Sequence, residues 1–179
     1  MKTDWRISTF NGALLAAYFI PAWTIVAFKI MISPVHGLYD RPNISVAIFM
    51  SDYVHLATLS TVRLAWLLAL AKMTVVAFLA VFVVFTTRAS IRKTGGCDEA
   101  LSMALAIGAL ISFVSMVMAS RVGELAAMRL HAAELLMMLG AIIVMAIELP
   151  LARGRERVSL KPSWTPRRLG DYSANNPNS

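Results

Sequence analysis

The chain reads as an all-α integral membrane protein, a bundle of four transmembrane helices, and three observations predict it. The composition is 58% apolar and 15% charged, against about 25% charged residues in ordinary globular proteins. The apolar residues are gathered into long blocks. Four of those blocks, 10–32, 64–86, 100–119 and 130–149, have the length of about 20 residues that a membrane-crossing helix needs. Backbone groups in lipid must be satisfied within their own segment, so such blocks are helical.

The first block, Phe10–Ile32, is apolar except for Asn11, Thr24 and Lys29. Lys2 and Arg6 precede it, as in a secretory leader. Its apolar stretch is long for a leader, and Met31-Ile32-Ser33-Pro34 offers no convincing small-residue cleavage site, so it is read as a retained signal-anchor helix. Pro21 removes one backbone donor within it. Lys29 lies near its outer end, where a lysine can extend to the interface.

The second block, Leu64–Thr86, spans roughly 34 Å at about 1.5 Å per residue and holds one charge, Lys72. A lysine that deep costs roughly 2.5–3.5 kcal/mol on insertion scales. It should therefore face protein or water. The third block, Ala100–Ala119, is uncharged. Its Ala100, Ala104, Gly108 and Ser112 recur every four residues and form a flat face against which another helix can pack. The fourth, Leu130–Leu149, contains His131, Glu134 and Glu148. The second and fourth helices run in the same direction, and Lys72 and Glu134 lie within about 6 Å of the same depth. The two are predicted to form an intramembrane charge pair.

The basic residues set the orientation. Lys2 and Arg6 before the first span, Arg88, Arg92 and Lys93 between the second and third, and Arg153, Arg155, Arg157, Lys161, Arg167 and Arg168 after the fourth lie on one side. Arg41, Arg63, Arg121 and Arg129 lie on the other. The positive-inside rule places both termini in the cytoplasm, on an inner, cytoplasmic membrane. The net charge of +7 then reads as topology and attraction to anionic lipid headgroups, with no nucleic-acid partner expected.

This divides the chain into an N-terminal tail (1–9), a transmembrane domain (10–152) and a C-terminal tail (153–179), basic at first and polar from Asp171 onward. The connection from Ser33 to Arg63 is a partly apolar extracytoplasmic loop. Pro34, Gly37, Pro42 and Asn43 supply turns, and the short run Ile44–Met50 is expected to tuck into the bundle or lie at its interface. Helix is expected to resume near Asp52 and feed into the second span. Gly95-Gly96 breaks the second connection, and the third, Arg121–Arg129, is a tight turn.

Motifs of hydrolases, zinc peptidases, thiol redox proteins and phosphate-binding loops are absent from the sequence. The sequence leans away from an enzyme and toward a non-catalytic structural or accessory subunit. Its expected partners are membrane lipids, further subunits or a second copy of the chain. One alternative is a small oligomeric transporter or channel using Lys72 and Glu134. Another is a haem or metal protein using the outer histidines, His55, His131 and His36; Asp52 with His55 and His131 with Glu134 share i, i+3 spacing. No cofactor is expected under the first reading. Cys97 reads as a free thiol, and the eleven methionines as adaptable packing.

Overall fold

The computed structural model describes residues 7–88 and 96–159, with the side chains of 96 and 149–159 outside that description. Among the described residues six helices follow one another: α1 (Ile7–Ile32), α2 (Pro34–Leu38), α3 (Ile44–Asp52), α4 (Thr58–Thr87), α5 (Gly96–Val122) and α6 (Leu125–Ser159). Four of them are long and apolar enough to cross a membrane, over Ile7–Ile32, Thr58–Thr87, Cys97–Val122 and Leu125–Glu148. The all-helical four-helix membrane bundle is the observed fold. Each helix outruns its apolar block by a few residues, because hydropathy ends where the hydrocarbon does and backbone hydrogen bonding continues into the interface.

Chain contacts define two units, Met1–Glu148 and Leu149–Ser179. In the second, the backbone is helical as far as Ser159, past the residue at which the tail was expected to begin. Trp164 and the polar stretch from Asp171 fall outside the described residues, as do Lys2, Arg6, Arg92, Lys93 and Gly95.

The helices of the first unit each bury one stripe. In α1 it runs through Gly12, Leu15, Ala16, Phe19, Trp23, Ala27 and Ile30, and in α4 through Ala65, Ala69, Lys72, Val75, Val76, Leu79 and Phe82. Both stripes step by three and four residues, the spacing of one helix face. Large apolar side chains such as Leu14, Leu67, Leu70, Leu110 and Leu136 point outward, as lipid contact requires and a water-facing surface would not favour.

Two apolar cores result. The larger joins α1 from Leu15 to Trp23, α4 from Val75 to Phe82, α5 from Cys97 to Leu105, and Met138 and Ala141 of α6. The smaller joins Ala27 and Ile30 of α1 and Ala65 and Ala69 of α4 to Leu38, Val46 and Ala47. The loop between the first two spans therefore does tuck into the bundle, as a cap made of α2 and α3. Along α4, Lys72 falls between the two cores.

Gly37 makes the cap possible. A Cβ there would lie 2.6 Å from Ile30 Cα and 2.7 Å from Ile30 N, so only glycine lets α2 approach the α1 backbone this closely. Helix does not resume at Asp52. α3 ends there, Tyr53–Ala57 is non-helical, and His55 takes a left-handed φ of 49° before α4 begins. Asp52 and His55 consequently do not share a helix face.

The third connection is as tight as expected. Gly123 has φ of +80°, and the Glu124 N–H donates to the Ala119 carbonyl at 3.0 Å. This six-to-one bond closes α5 in a Schellman motif and starts α6 two residues later. Of the small-residue face on α5, Ala100, Ala104, Gly108 and Ser112 are all buried. What fills the notch at Gly108 is a side chain: a Cβ there would lie 2.9 Å from the thioether end of Met138 and 3.6 Å from Val75.

Candidate functional site

Between the two cores lies a cluster of polar side chains well inside the membrane-crossing length. Lys72 is 3% exposed, His131 3%, Glu134 6% and Asn43 1%. Burying such groups in hydrocarbon is costly unless they are hydrogen-bonded or paired, and the cluster meets that cost internally.

Glu134 is its centre. Its Oε1 accepts from Trp23 Nε1 of α1 at 3.1 Å. Its Oε2 accepts from Ser112 Oγ of α5 at 3.2 Å and faces His131 Nδ1, one turn earlier on α6, at 3.0 Å. The other imidazole nitrogen, Nε2, meets the backbone carbonyl of Pro42 at 3.0 Å, in the turn between α2 and α3. One carboxylate thus gathers α1, α5 and its own helix, and the histidine extends the chain of bonds into the cap.

Lys72 approaches the same cluster from α4. Its Nζ donates to Asn43 Oδ1 at 2.9 Å and lies 5.5 Å from the centre of the Trp23 ring, within the range of a cation–π contact. Asn43 in turn donates from Nδ2 to the Gly37 carbonyl at 3.0 Å. Asparagine in the N-cap position of α3 would ordinarily cap the helix with its side chain. Here it makes no such bond, because its amide is committed to Lys72 and Gly37.

The structure brings Lys72 and Glu134 into one buried cluster without direct ion-pair contact. Trp23 touches both, giving its N–H to the carboxylate and its ring face to the ammonium. The predicted pairing of Lys72 with Glu134 rests on matching depth. Depth leaves out the azimuth, and here an indole from α1 fills the space that an extended lysine would have crossed. The close partner of Glu134 is His131 instead.

Ser112 contributes as a hydrogen-bond donor as well as a small packing residue. From the sequence, Pro42 and Asn43 are legible only as turn residues, and Trp23 carries no assigned role. Trp23 alone left a signal, an indole N–H in mid-span on the buried stripe of α1, which calls for an acceptor. Ser45 Oγ, at the start of α3, is buried with no hydrogen-bond partner, a burden of about 1–3 kcal/mol on seating the cap.

Of the remaining histidines, His36 is exposed and hydrogen-bonds Ser33 at 3.1 Å, and His55 is exposed in the turn before α4. Among the described residues, no three His, Cys, Asp or Glu side chains are grouped to hold a metal ion. Both ring nitrogens of His131 are already engaged with protein groups. Lys29 extends outward and pairs with Asp40 at 2.7 Å in an exposed ion pair. The hydrogen bond from Lys29 holds the Asp40 carboxyl below its usual value, helped by the Arg41 backbone N–H.

At the opposite end of the bundle a second carboxylate of α6 is at work. Glu148 accepts the backbone N–H of Ile7 at 2.8 Å and of Ser8 at 3.2 Å, satisfying two of the unpaired donors at the start of α1.

No protein-family model matches this chain, and no curated protein or solved structure proves similar to it.

Proposed function

We propose that this multi-pass membrane protein is a non-catalytic structural or accessory subunit of the cytoplasmic membrane, with both termini cytoplasmic and the α2–α3 cap on the outer side. One observation carries the reading: the ionisable groups of the cluster are bonded to one another and to the cap. Glu134 has three partners and His131 two, and the contacts tie α1, α4, α5 and α6 to the α2–α3 turn. Such an arrangement fixes one shape for the outer end of the bundle. The outward-facing leucines and the basic residues of the connections supply contact with lipid and with neighbouring subunits.

Purification in mild detergent, with sizing and identification of co-purifying chains, tests this reading. A stoichiometric membrane partner, with no solute flux in proteoliposomes, is the expected result. Orientation is read separately from thiols placed at Asp52 or Tyr53, both exposed near the cap. Gly37 and Asn43 are unsuitable for that purpose because both are buried contacts. Labelling of those thiols only after the membrane is opened would reverse the proposed topology.

A second reading, a small oligomeric transporter or channel, draws on one specific observation. A lysine, a glutamate and a histidine share one site within the spans, and intramembrane ionisable residues commonly mark ion or proton paths. Proton or ion flux in proteoliposomes that Lys72→Met abolishes would install this reading in place of the first.

A further inference from the structure

The Pro42 carbonyl oxygen can only accept a hydrogen bond, so the His131 Nε2 that meets it must carry a proton. Nδ1 faces Glu134 Oε2 at 3.0 Å, and that contact is a hydrogen bond only if one further proton lies between the two atoms. Placed on Nδ1, the proton makes an imidazolium beside a carboxylate. Placed on Oε2, it makes a neutral imidazole beside a carboxylic acid. In either case the pair carries no net charge. It holds one proton more than a neutral histidine beside an ionised glutamate.

If the cap lifts and Pro42 leaves, that requirement disappears. A neutral His131 can then carry its single proton on Nδ1, donate it to the Glu134 carboxylate and leave Nε2 bare. The seated state therefore binds one proton that the lifted state does not.

We infer that His131 and Glu134 form a one-proton binding site that latches the α2–α3 cap, so that lifting the cap and releasing the proton are a single event. The charged and titratable neighbours are few. α4 presents Lys72, which bonds Asn43 of the cap, and α1 presents the uncharged Trp23. α5 presents Ser112, and beside Pro42 on the cap stand Arg41 and Asp40, the latter held by Lys29. None of these places a second proton between Nδ1 and Oε2. The inference holds whether the bundle serves as an accessory subunit or as a carrier, since it concerns only how the cap is held.

The test uses the full chain in detergent or nanodiscs with Cys97→Ala and Ser45→Cys, which puts the one thiol at a fully buried cap position. Its labelling rate, divided by that of the unfolded chain at each pH, reports the lifted fraction. Linkage of one proton predicts a lifted fraction that rises with pH by up to about tenfold per unit. Glu134→Gln should flatten that rise, because its amide can donate to Nδ1 with no added proton. Equal slopes with and without Glu134→Gln, or a flat profile in the parent, would overturn the latch. Nitrogen-15 NMR of the histidine rings in the unsubstituted chain decides the matter independently of any variant. A protonated Nε2 with a proton in the Nδ1 to Glu134 bond is expected, and a bare Nε2 refutes it.

Discussion

Glu134 and Glu148 stand on one helix, about 21 Å apart along its axis at 1.5 Å per residue, and they hold the protein together in different ways. Glu134 is buried and takes side-chain groups from α1, α5 and its own helix. Glu148 lies at the end of its span, part-exposed, and takes two backbone N–H groups from the first turn of α1. The first cannot lose its partners to water, while the second can. Burial, more than the number of bonds, decides how much each carboxylate matters.

That difference is tested most strongly by removing each carboxylate. Glu134→Ala strands the indole N–H, the Ser112 hydroxyl and the imidazole in a low-dielectric site. Each buried group left without its partner costs about 1–3 kcal/mol, and here three are affected. Glu148→Ala frees two amides that water can reach, a loss in the range of helix-cap removal, about 0.5–2 kcal/mol. Unfolding in mixed detergent micelles should rank them in that order. Equal losses would mean that the Glu134 cluster is as wet as the helix end.

The next effect concerns the cap that Glu134 reaches through His131. Gly37→Ala sets a methyl group against the α1 backbone, which cannot swing aside as a side chain can. An overpacking cost of about 1–3 kcal/mol is expected, accompanied by faster labelling of a thiol at Ser45. Gly108→Ala meets only the flexible end of Met138 and should cost less than Gly37→Ala. Gly108→Leu, with no room beside Met138 and Val75, should cost more than Gly108→Ala. Thermal unfolding of the three variants gives the order.

The smallest expected effect lies at the exposed Lys29–Asp40 pair. The Asp40 carboxyl titrates below its unfolded value because of the Lys29 hydrogen bond. The pair's contribution is therefore present above the unfolded carboxyl value and fades as pH falls through the lower folded one. Solvent screening keeps exposed pairs weak. Asp40→Asn should leave stability at pH 7 nearly unchanged and remove a slight loss on acidification, measurable by comparing the two proteins between pH 5 and pH 3.

The spans were legible because hydrocarbon demands about 20 apolar residues in a row, and a charge within such a run stands out. The same cost made Lys72 and Glu134 visible as groups that needed partners. Their actual partners were harder to read. Trp23 and Asn43 come from segments distant in sequence, and the Pro42 carbonyl is a backbone atom that any residue would supply. The i, i+3 spacing of His131 and Glu134 was visible, as was the apolar run of the cap, but the sequence does not show that the turn at Pro42 comes to rest on the imidazole. Gly37 looked like a turn residue. Its role as the contact that lets α2 touch α1 depends on where two helices meet.

In the proposed latch Glu134 is balanced by a proton shared with His131, while Lys72 is a neighbour held by Asn43 and the Trp23 ring. A pair of double-mutant cycles on folding free energy measures this directly, one combining Glu134→Leu with His131→Leu and the other combining Glu134→Leu with Lys72→Met, since leucine can hydrogen-bond to neither partner. The predicted result is a coupling of about 0.5–3 kcal/mol in the first cycle, the range for residues in one hydrogen-bond network, and a smaller one in the second. A second cycle with the larger coupling would contradict the claim and restore Lys72 and Glu134 as the working charge pair.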